Sequence, residues 1–195
     1  MSRVPPARSI RVGAEERTCT CRIIIARRLS LLICRPTPTL PNTLHRHVGQ
    51  LAVLGFGGQT VSAELRALSR EWDLGGAIFF ARNVEAPDQV AELAFDLQAL
   101  AQEIPLWVGV DQEGGRVARF KAPFTEWPPM SSLGRRGDLG LVVRFAAALA
   151  DELSAVGVNL DFAPVLDIYH EAADSVIGDR ALATRPEEVL SLIHI

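Results

Sequence analysis

The feature that most constrains the fold is a short apolar run that ends abruptly in polar residues. Residues 107–117 have the sequence Trp-Val-Gly-Val-Asp-Gln-Glu-Gly-Gly-Arg-Val. A four-residue segment typical of a buried strand is followed at once by Asp111 and Glu113, two glycines and Arg116. Buried parallel strands deliver polar groups to their carboxyl ends in this way. A second segment of the same form, Val-Asn-Leu-Asp-Phe-Ala-Pro-Val-Leu-Asp, occupies residues 158–167.

Strand-like and helix-like segments alternate along the chain from residue 47 onward. Strands are expected over residues 51–56, 77–80, 106–111 and 158–162, and helices are expected to begin at Ser62, Pro87, Asp138 and Pro186. This alternation predicts a parallel α/β fold, either a doubly wound sheet or a (β/α)₈ barrel. Polar residues on long loops after the third and fourth strands favour the barrel, which takes roughly 250 residues. We therefore predict a partial (β/α)₈ TIM barrel, roughly its first half.

The first part of the chain differs in composition from the rest. Residues 1–46 are rich in Arg and Pro and show no sustained periodicity, so we interpret them as a disordered or non-native extension, with the barrel over residues 47–195. Cys19, Cys21 and Cys34 all fall in this extension. Their odd number and irregular spacing argue against a disulfide framework or a metal site, and no cofactor is expected.

Charge and hydropathy narrow the choice of partners. The net charge of −3 gives no electrostatic footprint for nucleic acid. The longest early apolar run, residues 29–34, is too short to span a membrane and has no signal-peptide cleavage site after it. We therefore expect a cytoplasmic protein that binds neither nucleic acid nor membrane.

Several side chains near the two strand ends are candidate site residues. Asp111 is expected to accept hydrogen bonds from ligand hydroxyls, because an acid at a buried strand end is costly unless it binds something. For Glu113 we favour an internal ion pair with Arg116 or Arg119. Either of these arginines is a candidate donor to a ligand, with a solvated surface position as the alternative. Arg180, on the loop after the fourth strand, is a further candidate donor.

The fourth strand is bracketed by polar residues whose roles stay open. Asp161 and Asp167 are interpreted equally well as residues that orient the site or as turn caps near Pro164. Asp179 is expected to pair with a neighbour or to stabilise a turn. His170 stands alone on a polar loop, where a histidine is usually solvated.

Taken together, four segments resemble the N-terminal barrel domain of glycoside hydrolase family 3, and most closely its bacterial β-N-acetylhexosaminidases. These segments, in chain order, are Gly75-Gly-Ala-Ile-Phe-Phe-Ala-Arg-Asn83, Val110-Asp-Gln-Glu-Gly-Gly-Arg-Val117, Phe162-Ala-Pro-Val-Leu-Asp167 and Ile177-Gly-Asp-Arg180. The resemblance covers residues 48 to 189. It implies that Asp111, Arg119 and Arg180 bind the sugar. One departure is Ala181-Leu182, where the family usually has Ser-Phe.

The same resemblance implies the reaction. The family hydrolyses O-glycosyl bonds with retention, through a covalent glycosyl-enzyme intermediate on an aspartate, and this subgroup uses a histidine on a mobile loop as its acid/base. Neither the histidine-loop motif nor the strand of the nucleophile occurs after residue 185, so no catalytic residue is assigned and this chain alone is expected to be inactive.

The expected ligand is an N-acetylglucosamine-containing saccharide or a muropeptide, with the parent enzyme acting in peptidoglycan recycling. Three alternatives stay open. They are a non-catalytic sugar-binding module that uses the same residues, a β-glucosidase-type relative, and an unrelated α/β enzyme with a phosphate site at residues 55–58.

Overall fold

A computed structural model describes residues 24–26, 29–31, 42–169 and 176–193 of the chain. The chain divides into two compact units, residues 1–41 and 42–195. In the first unit, strands β1 (Ile24–Ala26) and β2 (Leu29–Leu31) form an antiparallel pair, with Ile24 opposite Leu31. The three cysteines and His170 lie outside the described residues. The predicted disorder of the remaining extension therefore stays a prediction.

The second unit begins with a helix, α1 (Asn42–Gln50), that crosses the boundary predicted between residues 46 and 47. The second compact unit therefore begins at residue 42. Helix α1 packs through a stacked pair of rings, His45 on Trp72, whose centroids are 4.6 Å apart. A Cβ at Gly49 would collide with the backbone of Trp72, so helix α1 approaches the chain closely at Trp72. The helix is short and largely polar, and its apolar residues Leu44 and Val48 form only one helical repeat, which is too little to mark a helix in the sequence.

Four parallel strands form the sheet of the second unit, in the order in which they occur along the chain. They are β3 (Val53–Gly55), β4 (Gly76–Phe79), β5 (Trp107–Val110) and β6 (Leu160–Asp161). A doubly wound sheet reverses its strand order at a switch point. The described sheet has no such reversal, and its consecutive order is that of a (β/α)₈ barrel. The predicted TIM-barrel-type α/β fold is confirmed.

Helices connect the strands, and their starts match the sequence signals. Their bounds are α2 (Ala63–Trp72), α3 (Pro87–Gln98), α4 (Met130–Gly134), α5 (Leu139–Ala155) and α6 (Pro186–Ile193), with single 3-10 turns at Ala81–Asn83 and Gly178–Arg180. Ser62 and Asp138 are N-caps, because their side chains accept from the backbone N–H groups of Leu65 and Leu141. Both predicted helix starts are thereby confirmed. The short α4 lies inside the long loop predicted after the third strand.

The hydrophobic core lies between the sheet and the helices. Alternate residues of β4 and β5 are buried on the helix side, and α3 covers them with a face of 3.6-residue period. This core includes Ala77, Phe79, Val108, Val110, Val90, Leu93, Ala94 and Leu97. Among the described residues, no helix has the length and apolar character needed to cross a membrane. The core fixes the sheet and so fixes the positions of the loops that follow each strand.

Candidate functional site

The carboxyl ends of the four strands bring the candidate residues to one edge of the sheet. Val110 is in register with Phe79 on one side and with Asp161 on the other. Asp111 therefore follows β5 directly beside the end of β6, and the loop residues of β4 come next to it. In barrels this edge carries the active site. The candidates from the two polar segments are thus brought together by strand pairing.

Asp111 and Arg119 form a partly exposed ion pair at this edge. Arg119 Nη2 donates to Asp111 Oδ2 at 2.9 Å, and their side chains are 29% and 26% exposed. Arg119 Nε is buried and has no hydrogen-bond partner among the described atoms. Because the pair is only partly covered, oxygens of Asp111 and N–H groups of Arg119 remain within reach of a polar ligand.

Glu113 pairs with Arg180, and the prediction that its partner is Arg116 or Arg119 was wrong. Arg180 Nε donates to Glu113 Oε2 and Arg180 Nη2 donates to Glu113 Oε1, each at 2.8 Å. The Glu113 side chain is 4% exposed and the Arg180 side chain 22%. The hydrogen bonds from Arg180 to the buried Glu113 raise the pKa of Arg180 above its ordinary value. The fork-to-fork geometry fixes the direction of the guanidinium.

Arg116 holds the loop that carries Arg180. Its Nε donates to Asp179 Oδ1 at 3.0 Å, and its Nη2 donates to the carbonyl oxygens of Val176 and Ile177. The interpretation of Asp179 as a pairing residue agrees with this contact, although its partner is 63 residues away in sequence rather than a neighbour. Arg116 therefore fixes the 3-10 turn from which Arg180 reaches Glu113.

Gln112 is a buried residue whose hydrogen bonds join several parts of this region, and the sequence analysis did not single it out. Its Oε1 accepts from the backbone N–H groups of Arg119 and Phe120, at 2.8 and 3.0 Å, and its Nε2 donates to Phe120 O at 2.9 Å. Its own backbone N–H donates to Asp161 Oδ1 at 2.9 Å. The residue is 1% exposed. It therefore closes the loop from Glu113 to Phe120 and positions the backbone of Arg119.

Asp161 is the acid in this region whose titration is displaced. Burial raises its pKa to about 6, and the negative charges of Asp111 and Glu113 add to the effect, while the hydrogen bond from the Gln112 N–H opposes it. Asp161 also lines a cavity of about 250 Å³ with apolar side chains that include Leu149 and Leu153. Of the two interpretations of Asp161, the contact with Gln112 supports an orienting role.

The other polar residues of the β6 segment have separate positions. Asn159 Oδ1 accepts from Val108 N–H at 2.7 Å, and its Nδ2 donates to Leu106 O at 3.0 Å, so the side chain ties β6 to β5. Asp167 is exposed, and its charge contributes to the raised pKa of Arg180.

Two glycines let the loop after β5 turn sharply. Gly114 and Gly115 have φ values of 95° and 56°, which L side chains rarely adopt. A Cβ at Gly114 would lie 2.5 Å from Pro128 O, and Gly115 N–H donates to Trp127 O at 2.8 Å. The tight turn carries the chain from Glu113 back toward Arg119, so both residues face the same edge.

The loops after β3 and β4 complete the edge. Asn83, fully buried, donates to Phe56 O and Gly58 O and accepts from Phe80 N–H. The segment that the phosphate-site alternative invoked thus directs two carbonyl oxygens toward Asn83. Its glycines 57 and 58 have open space around them.

The chemistry available around the Asp111–Arg119 pair is recognition of hydroxyl groups. Carboxylate oxygens and guanidinium N–H groups alternate here, and the charges of Arg116, Arg119 and Arg180 are each balanced by a carboxylate partner. Such an arrangement accepts from and donates to hydroxyls without selecting a net charge. Among the described residues, no group of three or more His, Cys, Asp or Glu side chains is arranged to hold a metal ion.

Comparison with known families identifies the same part of the chain. The model of the glycosyl hydrolase family 3 N terminal domain matches residues 43–194. A beta-hexosaminidase of Nitrosomonas eutropha is 44% identical over 148 residues, which are 73% of this chain and 42% of the relative's own length. A beta-hexosaminidase of Methylococcus capsulatus is 43% identical over 135 residues, or 68% of this chain and 40% of its own length. The chain thus spans about two fifths of these curated relatives.

Solved structures show the same fold. A family 3 beta-N-acetylglucosaminidase from Paenibacillus sp. FPU-7 superposes with a TM-score of 0.73 at 41% identity, over 76% of this chain and 29% of its own. NagZ from Neisseria gonorrhoeae in complex with N-trifluoroacetyl-D-glucosamine superposes with a TM-score of 0.68 at 33% identity, over 72% of this chain and 43% of its own.

Proposed function

The chain belongs to glycosyl hydrolase family 3, and from this premise we propose that it forms the sugar-binding part of a β-N-acetylhexosaminidase. The observation that carries the proposal is the partly exposed Asp111–Arg119 pair at the carboxyl edge of the sheet. A beta-hexosaminidase is among the relatives at more than 40% identity, and one structural neighbour holds an N-acetylglucosamine analogue. These observations support a pyranose as the ligand.

In this proposal three residues contact the sugar. Asp111 accepts hydrogen bonds from two adjacent hydroxyls, which its two oxygens suit. Arg119 and Arg180 donate hydrogen bonds to ring or substituent oxygens of the sugar. They use the N–H groups that are not engaged by Asp111 and Glu113. Because Glu113 and Asp111 hold both guanidinium groups in place, little side-chain entropy is lost on binding.

The reaction proposed for the intact protein is removal of a terminal N-acetylglucosamine residue with retention of configuration. A retaining enzyme needs a nucleophile and an acid/base, and we assign neither role to a residue of this chain. Loss of a general acid or base alone lowers rates by about 10²–10⁴-fold. We therefore propose that this chain binds the sugar without hydrolysing it.

We further propose that the substrate is a peptidoglycan fragment and that the parent enzyme works in the cytoplasm. The support is the resemblance to bacterial β-N-acetylhexosaminidases in four ordered segments. Fractionation of cells that produce the parent protein, with activity measured on a muropeptide, tests both statements. Activity confined to the periplasm or medium contradicts the proposed location.

The direct test is calorimetric titration of this chain with N-acetylglucosamine and with glucose, beside an assay with an aryl N-acetyl-β-glucosaminide. Binding of N-acetylglucosamine without turnover is expected. Preference for glucose supports the β-glucosidase-type alternative. Turnover of the aryl glycoside, with contaminating enzyme excluded, contradicts the proposal that this chain binds the sugar without hydrolysing it. Saturable binding by a folded monomer also agrees with the alternative of a non-catalytic sugar-binding module. Such a module needs no catalytic residues.

A further inference from the structure

Arg82 differs from the other arginines at the carboxyl edge because it has no carboxylate partner in the described part of the chain. Arg116, Arg119 and Arg180 each form an ion pair, with Asp179, Asp111 and Glu113 in that order. Arg82 is exposed and is held by neutral groups. An exposed arginine without an ion-pair partner is commonly solvated and mobile unless other groups of the protein hold its guanidinium.

Two contacts fix the Arg82 guanidinium. Its Nε donates to Phe56 O at 2.8 Å, and its Cζ lies 4.4 Å from the centroid of the Phe80 ring. The buried Asn83 ties the same two loops together through its bonds to Phe56 O and Phe80 N–H. The loops after β3 and β4 are thus joined to each other, and together they hold the Arg82 guanidinium in place. Both Nη groups of Arg82 remain available to a further acceptor.

The Arg82 guanidinium lies beside the proposed sugar site. The Phe80 ring that it covers is also 6.0 Å from Cζ of Arg119, the partner of Asp111. Gly55 makes room for this arrangement, because a Cβ there would lie 2.8 Å from the Phe80 ring and 3.4 Å from Arg82 Nη2. Because both guanidinium groups contact the same Phe80 ring, Cζ of Arg82 and Cζ of Arg119 lie no more than about 10 Å apart.

We propose that Arg82 is a specificity-determining residue that binds a carboxylate group carried by the saccharide. The inference rests on the proposed sugar-binding function and adds the charge of the ligand to it. The planar guanidinium matches a carboxylate in a bidentate pair, which a lysine does not do. The three paired arginines have their charge balanced by protein acids, whereas the charge of Arg82 is left for the ligand to balance.

The test uses the 195-residue chain and two disaccharides that differ in one group. One probe is N,N′-diacetylchitobiose, and the other is the same disaccharide with a lactyl carboxylate on O3 of its reducing sugar. Calorimetry gives both dissociation constants for the 195-residue chain without substitutions, called the parent chain from here on. The same constants are measured for Arg82→Gln, Arg82→Lys and Gly55→Ala. Arg70→Gln is the matched control, since Arg70 lies in the last turn of α2, which leads to the amino end of β4.

The parent chain is expected to bind the acidic disaccharide about tenfold more tightly than the neutral one, the ratio for one charged hydrogen-bonded contact. Arg82→Gln removes the preference and leaves the affinity for the neutral probe within about twofold. Arg82→Lys keeps part of the preference. Gly55→Ala, which displaces the guanidinium without removing its charge, lowers it. Arg70→Gln keeps it in full.

Two results overturn the proposal, and they are distinguishable. An unchanged preference in Arg82→Gln, or no preference in the parent chain, overturns the role of Arg82 and leaves the sugar site intact. Failure of the parent chain to bind either disaccharide overturns the proposed function and the role of Arg82 with it. Circular dichroism of each variant establishes that it is folded, and Arg82→Lys supplies a second comparison if the glutamine variant unfolds.

Discussion

The Arg180 guanidinium grips the buried Glu113 carboxylate through two hydrogen bonds of 2.8 Å, across 67 residues of sequence. This pair joins the loop after β6 to the loop after β5. It also holds the charge of Arg180 at Glu113, which is two residues along the chain from Asp111. Because Glu113 is almost completely covered, its charge depends on Arg180 for compensation, and the two loops hold their positions together.

Removing this charge is expected to destabilise the fold. Glu113→Gln leaves Arg180 without its counter-ion and one donor pair mismatched, so the free energy of unfolding should fall by about 1–3 kcal/mol. The matched control is Glu188→Gln, which breaks the exposed Arg185–Glu188 pair and should leave the free energy of unfolding close to that of the unsubstituted chain. Urea unfolding followed by circular dichroism measures both. Equal effects of the two substitutions would show that the buried Glu113–Arg180 pair contributes no more to stability than an exposed ion pair does.

The Asp111–Arg119 pair is expected to matter for binding more than for stability. Asp111→Ala should weaken binding of N-acetylglucosamine at least about tenfold, because it removes an ion that accepts from sugar hydroxyls. The free energy of unfolding should change by no more than about 1 kcal/mol, since the pair is partly exposed. Titration calorimetry and urea unfolding give the two values. Asp96→Asn, which breaks the exposed Arg66–Asp96 pair, is the control.

Opposite results would assign Asp111 a different role. A large loss of stability with unchanged sugar affinity would make the pair a structural brace of the β5 loop. The Asp96→Asn control should leave both quantities as in the parent chain.

Local signals predicted the elements of the fold well. The caps Ser62 and Asp138 act within three residues of themselves, so the sequence around them contains everything their hydrogen bonds need. The apolar period of α3 likewise depends on one face of one helix. Helix α1 was missed because its stability comes from contact with α2, through Trp72, and its own sequence is polar.

Partners distant in sequence were the part that could not be predicted. The edge of the sheet was predicted correctly because parallel strands align their carboxyl ends whatever their side chains are. The choice of Arg180 for Glu113, rather than the nearby Arg116, depends on where a loop 63–67 residues away returns. Gln112 gave no signal at all, because a single glutamine acquires its role only when the loop closes around it.

The displaced titration of Asp161 predicts a specific pH dependence. The pKa of Asp161 is about 6 in the fold, against an ordinary value of 3.8, so the folded chain binds the proton more tightly than the unfolded chain does. Its contribution to stability is therefore greatest below pH 3.8 and is lost as the pH rises through about 6. Asp161→Asn removes the titration and keeps an oxygen for the Gln112 N–H.

Two measurements check this sign. At pH 7, Asp161→Asn should raise the free energy of unfolding by about 1–2 kcal/mol, a value that allows for solvent screening of a partly exposed acid. At pH 4 the variant and the parent chain should be nearly equally stable. Urea unfolding across this range gives the two curves, and a carbon NMR titration of the carboxyl group gives the pKa directly. Parallel curves would place the pKa of Asp161 at its ordinary value.

Gln112 should be the most sensitive polar position in the loop after β5. Gln112→Leu has a similar volume but leaves the N–H groups of Arg119 and Phe120 and the Phe120 carbonyl without partners. Stranded buried groups cost about 1–3 kcal/mol each, so the free energy of unfolding should fall by at least about 2 kcal/mol. Amide hydrogen exchange should accelerate at Arg119 and Phe120 before it does so in β5.

The matched control for Gln112 is Gln89→Leu, which removes a part-buried glutamine that also bonds only backbone groups, at Gln59, Asn83 and Glu85. It should cost less, because these bonds lie nearer to solvent. The sharper distinction lies in sugar binding. If Gln112 positions Arg119, its loss weakens binding of N-acetylglucosamine, whereas Gln89→Leu leaves the affinity unchanged. A Gln112→Leu chain that is destabilised but binds the sugar normally would mean that Asp111 alone keeps Arg119 in place.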